Sequence, residues 1–401
     1  MPRPVTLVRP LSRGALLCSA LLSVAASCDG VTGVTERVVR SRWSRAQDGR
    51  TYSRPAVLGD VVFFATGDGR VIARDRATGA ERWSAVVAGG SLRGGNLVVR
   101  GGVVVASAVQ HAVGLDAATG RELWRYVPPR DTVGKGPDAD PGQFVANRVD
   151  ADDGAAYLPA WGASVSAVDL HTGAVRWVWE PGVSAGDTAA SGRFRSGAEG
   201  VRVSGDTAFA TVWHNLDRQG LASEAWLVAL DRATGGELCR VVIPRYAGGL
   251  TVQGAPAFFG NLVVFTTLGG RTWAVDRKTR ALAWQFVPPA RYATSTQVEI
   301  SGGVAYVDGG DDFLYALDAA TGAVRWKADA GNGATRDLLV TDRRVYYPTY
   351  GTLRVLDRAT GRGVATARVA PDGHVWETAA VADRGRIFIT TTTAAQSFDE
   401  P

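Results

Sequence analysis

Short apolar runs, each closed by glycine and aspartate, set the pattern of this chain. Val61-Val-Phe-Phe64 is followed by Gly67-Asp-Gly69 and then by Val71-Ile-Ala73. The arrangement returns at Val304-Ala-Tyr-Val307, Gly309-Gly-Asp-Asp312 and Leu314-Tyr-Ala-Leu317. A further apolar stretch, such as Pro55-Ala-Val-Leu58, precedes each pair. Runs of this length between turn residues read as β-strands joined tightly to their neighbours. Past the N-terminal segment no stretch carries apolar residues at the helical period, which predicts an all-β chain.

A phrase links these strands. It begins at Asp75-Arg-Ala-Thr-Gly79 with Trp83, and returns from Asp116 with Trp124 and from Asp169 with Trp177. Further copies start at Asp231 (Cys239 in place of Trp), Asp276 (Trp284), Asp318 (Trp326) and Asp357 (Ala365). In all seven copies Thr lies three after Asp, and in six of seven Gly follows it, Arg280 being the exception. Asp and Thr offer oxygens to backbone N–H groups in a turn, and Gly permits the positive φ of a tight connection. Trp on the following strand carries an apolar face large enough to dock on a neighbouring repeat. Trp83, Trp124, Trp177, Trp284 and Trp326 are therefore architectural, not catalytic. Each repeat reads as four antiparallel strands, A to D, and the repeat length is that of a propeller blade.

Ser397-Phe-Asp399 is an eighth copy that lacks its outer strand. Val38-Val-Arg-Ser-Arg-Trp43 resembles Ala323-Val-Arg-Trp326. The expectation is an eight-bladed β-propeller over 36–401, closed by residues 36–45 with Trp43 in the docking position. Closure of this kind leaves no free sheet edge at the seam.

The N-terminus stands apart from the repeats. Arg3, Arg9 and Arg13 precede an apolar run from Gly14 to Ala26, and Ala25-Ala-Ser27 precedes Cys28. This is the layout of a signal peptide over 1–27, with a run too short to span a bilayer. The small residues before Cys28 resemble a bacterial lipobox, so a lipid on Cys28 and a tether over 28–35 are expected. The chain would then be exported and held at the periplasmic side of a membrane, inner or outer left open. Loss of three arginines and no acid turns 44 basic against 39 acidic residues into 41 against 39, which gives no reason to expect nucleic acid. Cys18 leaves with the leader and Cys28 is acylated, so Cys239 stands alone and stability must come from core burial.

The Ala-x-Asp-x-x-Thr-Gly phrase and its Trp resemble the pyrroloquinoline-quinone-like propeller family across nearly all of 36–401. One branch of that family holds dehydrogenases that use the quinone with calcium. The other holds non-enzymatic propellers similar to BamB, lipoproteins of the outer-membrane β-barrel assembly machinery. The second branch implies a lipobox, a chain of this length and an envelope protein partner, and it fits this sequence better. The chain has neither the adjacent cysteines that the enzymes commonly carry nor a Cys-x-x-Cys-His haem motif. No zinc spacing and no nucleophile–base pair is found. Asp138, Asp140, Asp150, Asp152 and Asp153 sit beside turn residues, where solvation accounts for them. The expectation is a protein-binding scaffold without a cofactor or metal. The alternatives are a quinone dehydrogenase using the quinone and calcium, or a ligand-sensing envelope propeller.

Two regions are candidates for binding. Excess length between repeats falls in Pro128–Asn147, Pro181–Ala198 and His214–Ser223, which emerge from one face over blades 3 and 4. Long loops on a rigid scaffold commonly carry binding. Arg193, Phe194, Arg195, Trp213 and His214 are the candidates there. At the channel mouth of the same face, alignment of the A strands places Arg54, Asn96, Arg148 and Gln297 at one height, with Arg336 one position away. Guanidinium and amide groups there suit a carboxylate or an acidic peptide.

Overall fold

The computed structural model describes residues 37–47, 53–88, 92, 95–108, 111–128, 148–160, 164–181, 196–215, 223–243, 252–268, 270–289, 297–330, 337–349, 352–369, 380–391 and 393–401. The leader and tether with Cys28 lie outside these residues, as do Arg193, Phe194, Arg195 and Arg336. The described strands form eight four-stranded antiparallel blades in a ring, an all-β eight-bladed propeller.

From centre to rim, blade 1 is Ala56–Leu58, Val61–Ala65, Arg70–Asp75 and Glu81–Val86, and blade 2 runs from Val98–Arg100 to Glu122–Tyr126. Blade 3 runs from Asp150–Ala151 to Val175–Trp179, and blade 4 is Ser196–Ser204, Thr207–Asn215, Ser223–Asp231 and Glu237–Ile243. Blades 5, 6 and 7 end on the outer strands Leu282–Phe286, Val324–Asp329 and Gly363–Arg368. Blade 8 is Ala380–Asp383, Arg386–Thr390 and Ala394–Asp399, completed by Ser41–Ala46 from the N-terminal side.

Burial explains the hydrophobic pattern. Middle strands such as Val103–Ser107 and Ala155–Ala160 are buried at every position, because each blade is sandwiched between two others. Outer strands such as Val175–Trp179 alternate, with Trp177 and Trp179 in and their neighbours out. Apolar area removed from water contributes roughly 25 cal/mol per Å², so these blade-to-blade faces are the main source of stability.

The turn chemistry repeats with the sequence. Asp75 Oδ1 accepts from the backbone N–H groups of Ala77 and Thr78 at 3.0 and 2.9 Å, and from Thr78 Oγ1 at 2.9 Å. The Asp169, Asp231 and Asp318 turns are built alike. Each docking Trp lies on the Gly of the next blade's turn and donates its indole N–H to the carbonyl just after that blade's Asp. Trp83 Nε1 reaches Ala117 O at 3.0 Å, and Trp124 Nε1 reaches Leu170 O at 2.7 Å. Trp43, Trp177, Trp284 and Trp326 bond in the same way to Arg76, Arg232, Ala319 and Arg358. Gly120 shows why Gly is needed: its φ is +75°, and a Cβ would lie 2.6 Å from Trp83.

Two expectations are corrected. Residues 36–45 do not all close the last blade. Ser41–Ala46 completes blade 8, whereas Arg37–Val39 pairs in parallel with the outer strand of blade 7 as a fifth strand. The seam is thus held across two blades. The long segments 181–198 and 214–223 are also not loops throughout. Residues 196–198, 214, 215 and 223 belong to blade 4, whose three inner strands each have nine residues.

Candidate functional site

The residues just before the A strands meet at the channel mouth. Ser53–Arg54 pairs in parallel with Gly95–Asn96, and Arg148 bridges Gly200 of blade 4. Arg54 Nη2 lies 2.6 Å from Asp337 Oδ1 and 2.6 Å from Glu299 Oε1, and donates to Leu338 O at 2.8 Å. Arg54 Nε donates to Asp337 Oδ2 at 3.2 Å, and Arg148 Nη1 donates to the same oxygen at 3.1 Å. Blade 3, which carries Arg148, stands opposite blade 7, which carries Asp337, so this ion pair crosses the channel. Asp337 is almost fully buried, with 4% of its side chain exposed.

Two guanidiniums thus face two carboxylates. Burial acts to raise the Asp337 carboxyl, but the charges of Arg148 and Arg54 outweigh it and hold that carboxyl below its ordinary value. Burial acts to lower Arg54, yet Asp337 and Glu299 keep it firmly protonated. The arginines singled out as carboxylate receptors already hold carboxylates of their own chain. Gln297 is buried against Gly254 of blade 5, and its Oε1 accepts nothing from the described residues.

Asp337 and Glu299 were missed by the sequence reading. Asp337 is adjacent to Arg336 and precedes Leu338, as Arg54 precedes Pro55 and Arg148 precedes Val149. A strict alignment on the A strand therefore points to Asp337 rather than Arg336.

Trp213 and His214 stand elsewhere, at the far end of the lengthened blade 4. Trp213 pairs with Gly197 and donates its indole N–H to Glu199 Oε1 at 3.0 Å. His214, on the opposite face of the strand, is buried and stacks on Trp226 with ring centroids 4.6 Å apart. Arg240 lies over the Trp226 ring at 4.3 Å and is bound to Glu237, which also accepts from Trp179 Nε1 at 3.0 Å. His214, Trp226, Arg240, Glu237 and Trp179 form one connected stack across the outer part of blades 3 and 4. Segments 182–195 and 216–222 lie outside the described residues.

The charged groups described at this mouth are bound to one another. Opposite blades touch there through Arg148 and Asp337. Calcium needs several converging oxygens, and the mouth carboxylates are committed to guanidiniums. Among the described residues no three His, Cys, Asp or Glu side chains gather as a metal would require.

A family model described as outer membrane protein assembly factor BamB matches the chain over residues 29–215, 161–301 and 223–392. In structure the chain is similar to BamB from Moraxella catarrhalis, with a TM-score of 0.57, 18% identity, and 78% of this chain and 97% of that one covered. It is also similar to the computationally designed Ika8 protein, with a TM-score of 0.66, 15% identity, and 92% and 100% covered. A third likeness is to quinohemoprotein alcohol dehydrogenase ADHIIG from Pseudomonas putida HK5, with a TM-score of 0.69, 13% identity, and 90% and 76% covered. At these identities the likeness is one of fold. No curated protein matches the chain in sequence.

Proposed function

This chain belongs to the family described as outer membrane protein assembly factor BamB, and from that premise we propose that it is a cell-envelope scaffold for outer-membrane protein assembly. It binds a protein partner, a component of the β-barrel assembly machinery, at the extended rim of blade 4. The observation that carries this reading is the extension itself. Its nine-residue strands are locked by the stack from His214 to Trp179, so the binding segments attach to a base that costs little entropy to hold. The lipid on Cys28 is part of the proposal, because it would hold the chain at the membrane in which such a partner sits. Mass spectrometry of the mature N-terminus reads it: a diacylglyceryl-cysteine is expected, and an unmodified start at Ser27 or Cys28 contradicts it.

The rival is a quinone dehydrogenase. Titration with pyrroloquinoline quinone and calcium, followed by a dye-linked alcohol oxidation assay, separates the two. The scaffold reading expects neither saturable quinone binding nor turnover. Stoichiometric binding with turnover would overturn it. Shortening 182–195 and 216–222 is expected to abolish partner binding without a change in melting temperature, because these cuts spare the strands of blade 4.

A further inference from the structure

We infer that the gap between blades 4 and 5 is a binding site for a small aromatic carboxylate whose ring is about the size of an indole. The argument starts from a repeat pair in which the docking Trp and its receiving Gly are both replaced. Cys239 stands where blade 4 would carry Trp, and Arg280 stands where blade 5 would carry Gly. The two changes belong together. At the six Trp-bearing interfaces the indole lies so close to the next blade's Gly that a Cβ there would meet it at 2.5 to 2.6 Å. With no indole, Arg280 can be accommodated, and it keeps the left-handed backbone of that turn at φ +60°.

The space has not collapsed. A cavity of about 280 Å³ remains, floored by Phe209, Ala229, Val263 and Val275 and edged by Cys239. Phe209 pairs with Ala229, which pairs with Cys239. This is the register of Phe63, Ala73 and Trp83 in blade 1, where Phe63 packs on the Trp83 ring at 5.7 Å. The cavity is therefore the indole slot with its aromatic wall intact. The carbonyl that would receive the indole N–H is that of Arg277, and no donor among the described residues reaches it. Arg277 itself forms part of the wall, bound to Ser204 at 2.9 Å and to Gly260, and stacked over Phe258.

The rim supplies the charge preference. The side chains of Lys278 and Arg280 are exposed at the mouth and pair with no carboxylate among the described residues. Two acids also line the cavity: Asp276 spends its Oδ1 on the turn N–H groups of Lys278 and Thr279, and Asp206 Oδ1 accepts from Thr207 Oγ1 at 3.0 Å. A ring in the slot would thus place a substituent beside two cations. The volume is at the lower end for ligand pockets, which favours a free small molecule over a side chain still attached to a partner protein.

The test uses the full chain and indole-3-acetate as the probe, with tryptamine as its cationic counterpart. Isothermal titration is expected to show saturable one-to-one binding of indole-3-acetate, at least about tenfold tighter than tryptamine, or about 1.4 kcal/mol. The double variant C239W/R280G rebuilds the ordinary repeat, so it is expected to lose binding and melt at a higher temperature. Alkylation of Cys239 by iodoacetamide, followed on its tryptic peptide, is expected to slow when indole-3-acetate is present. That readout holds even if the double variant fails to fold. Absence of saturable binding, equal binding of tryptamine, undiminished binding to a folded C239W/R280G variant, or alkylation that ignores the probe would each overturn the assignment.

Discussion

Asp337→Asn is the sharpest perturbation of the channel mouth, because it removes one charge while preserving shape. Asp337 accepts from Arg54 at 2.6 and 3.2 Å and from Arg148 at 3.1 Å, and the side chains of Arg54 and Arg148 are 21% and 11% exposed. Breaking a buried pair of this kind costs about 3–5 kcal/mol, since the remaining charges stay buried. Glu299, still 2.6 Å from Arg54, retains part of the compensation, which sets the expectation near the lower figure, about 3 kcal/mol. The pH dependence has a definite sign. The folded Asp337 carboxyl lies below its unfolded value of about 3.9. Its contribution is therefore complete above that value and is lost as pH falls through the lower, folded one. Arg54 is raised, so its share is lost only at strongly alkaline pH. Urea unfolding followed by tryptophan fluorescence should show a constant gap between native and D337N from about pH 5 to 8, narrowing below about pH 4. A gap under about 0.5 kcal/mol at neutral pH, or one that widens in acid, would refute the reasoning.

Other consequences follow from the seam and the docking slots. Trp43 is 6% exposed and meets Phe64 edge-on at 6.1 Å, so Trp43→Ala should cost about 3–5 kcal/mol in urea unfolding. Deleting 37–46 should lower the melting temperature of the whole ring in a single transition, and an unchanged melt would disprove the closure. Gly120→Ala should lose about 1–3 kcal/mol to overpacking against Trp83, with about 1–2 more from its positive φ. Arg280→Gly, at a similar φ with no indole above it, should instead gain up to about 1 kcal/mol by relieving backbone strain. Equal effects at the two positions in calorimetry would break the link between Gly and Trp.

What could be read from the sequence depended on how local the chemistry was. The Asp–Thr–Gly turn bonds to itself within three residues, so the spacing carries its own geometry, and the count of eight followed from it. The Trp eight positions on could be read because its partner is another copy of the same turn. The mouth was harder. Arg54 and Arg148 could be placed by aligning strands, but Asp337 and Glu299 meet them only through ring closure, which joins residues hundreds apart in sequence. Arg37–Val39 was taken into blade 8 because a parallel fifth strand has no sequence signature. Ser196-Gly-Ala198 was counted with the connection Pro181–Ala198 because it falls in the excess length between repeats, yet pairing with His214, Trp213 and Val212 makes it strand. His214 looked available for binding; its stacking on Trp226 depends on a neighbouring strand that the pattern alone did not extend so far.

The most direct test of the scaffold assignment is site-specific photo-crosslinking in cells. A benzophenone side chain in place of Glu224, which is half-buried at the rim of blade 4, is compared with one in place of Val86. Val86 is 65% exposed on the outer strand of blade 1, away from that rim. The account predicts that position 224 crosslinks to a component of the β-barrel assembly machinery, identified by mass spectrometry, and that position 86 does not. Crosslinking to that component from 86 but not 224, or from neither, would contradict it.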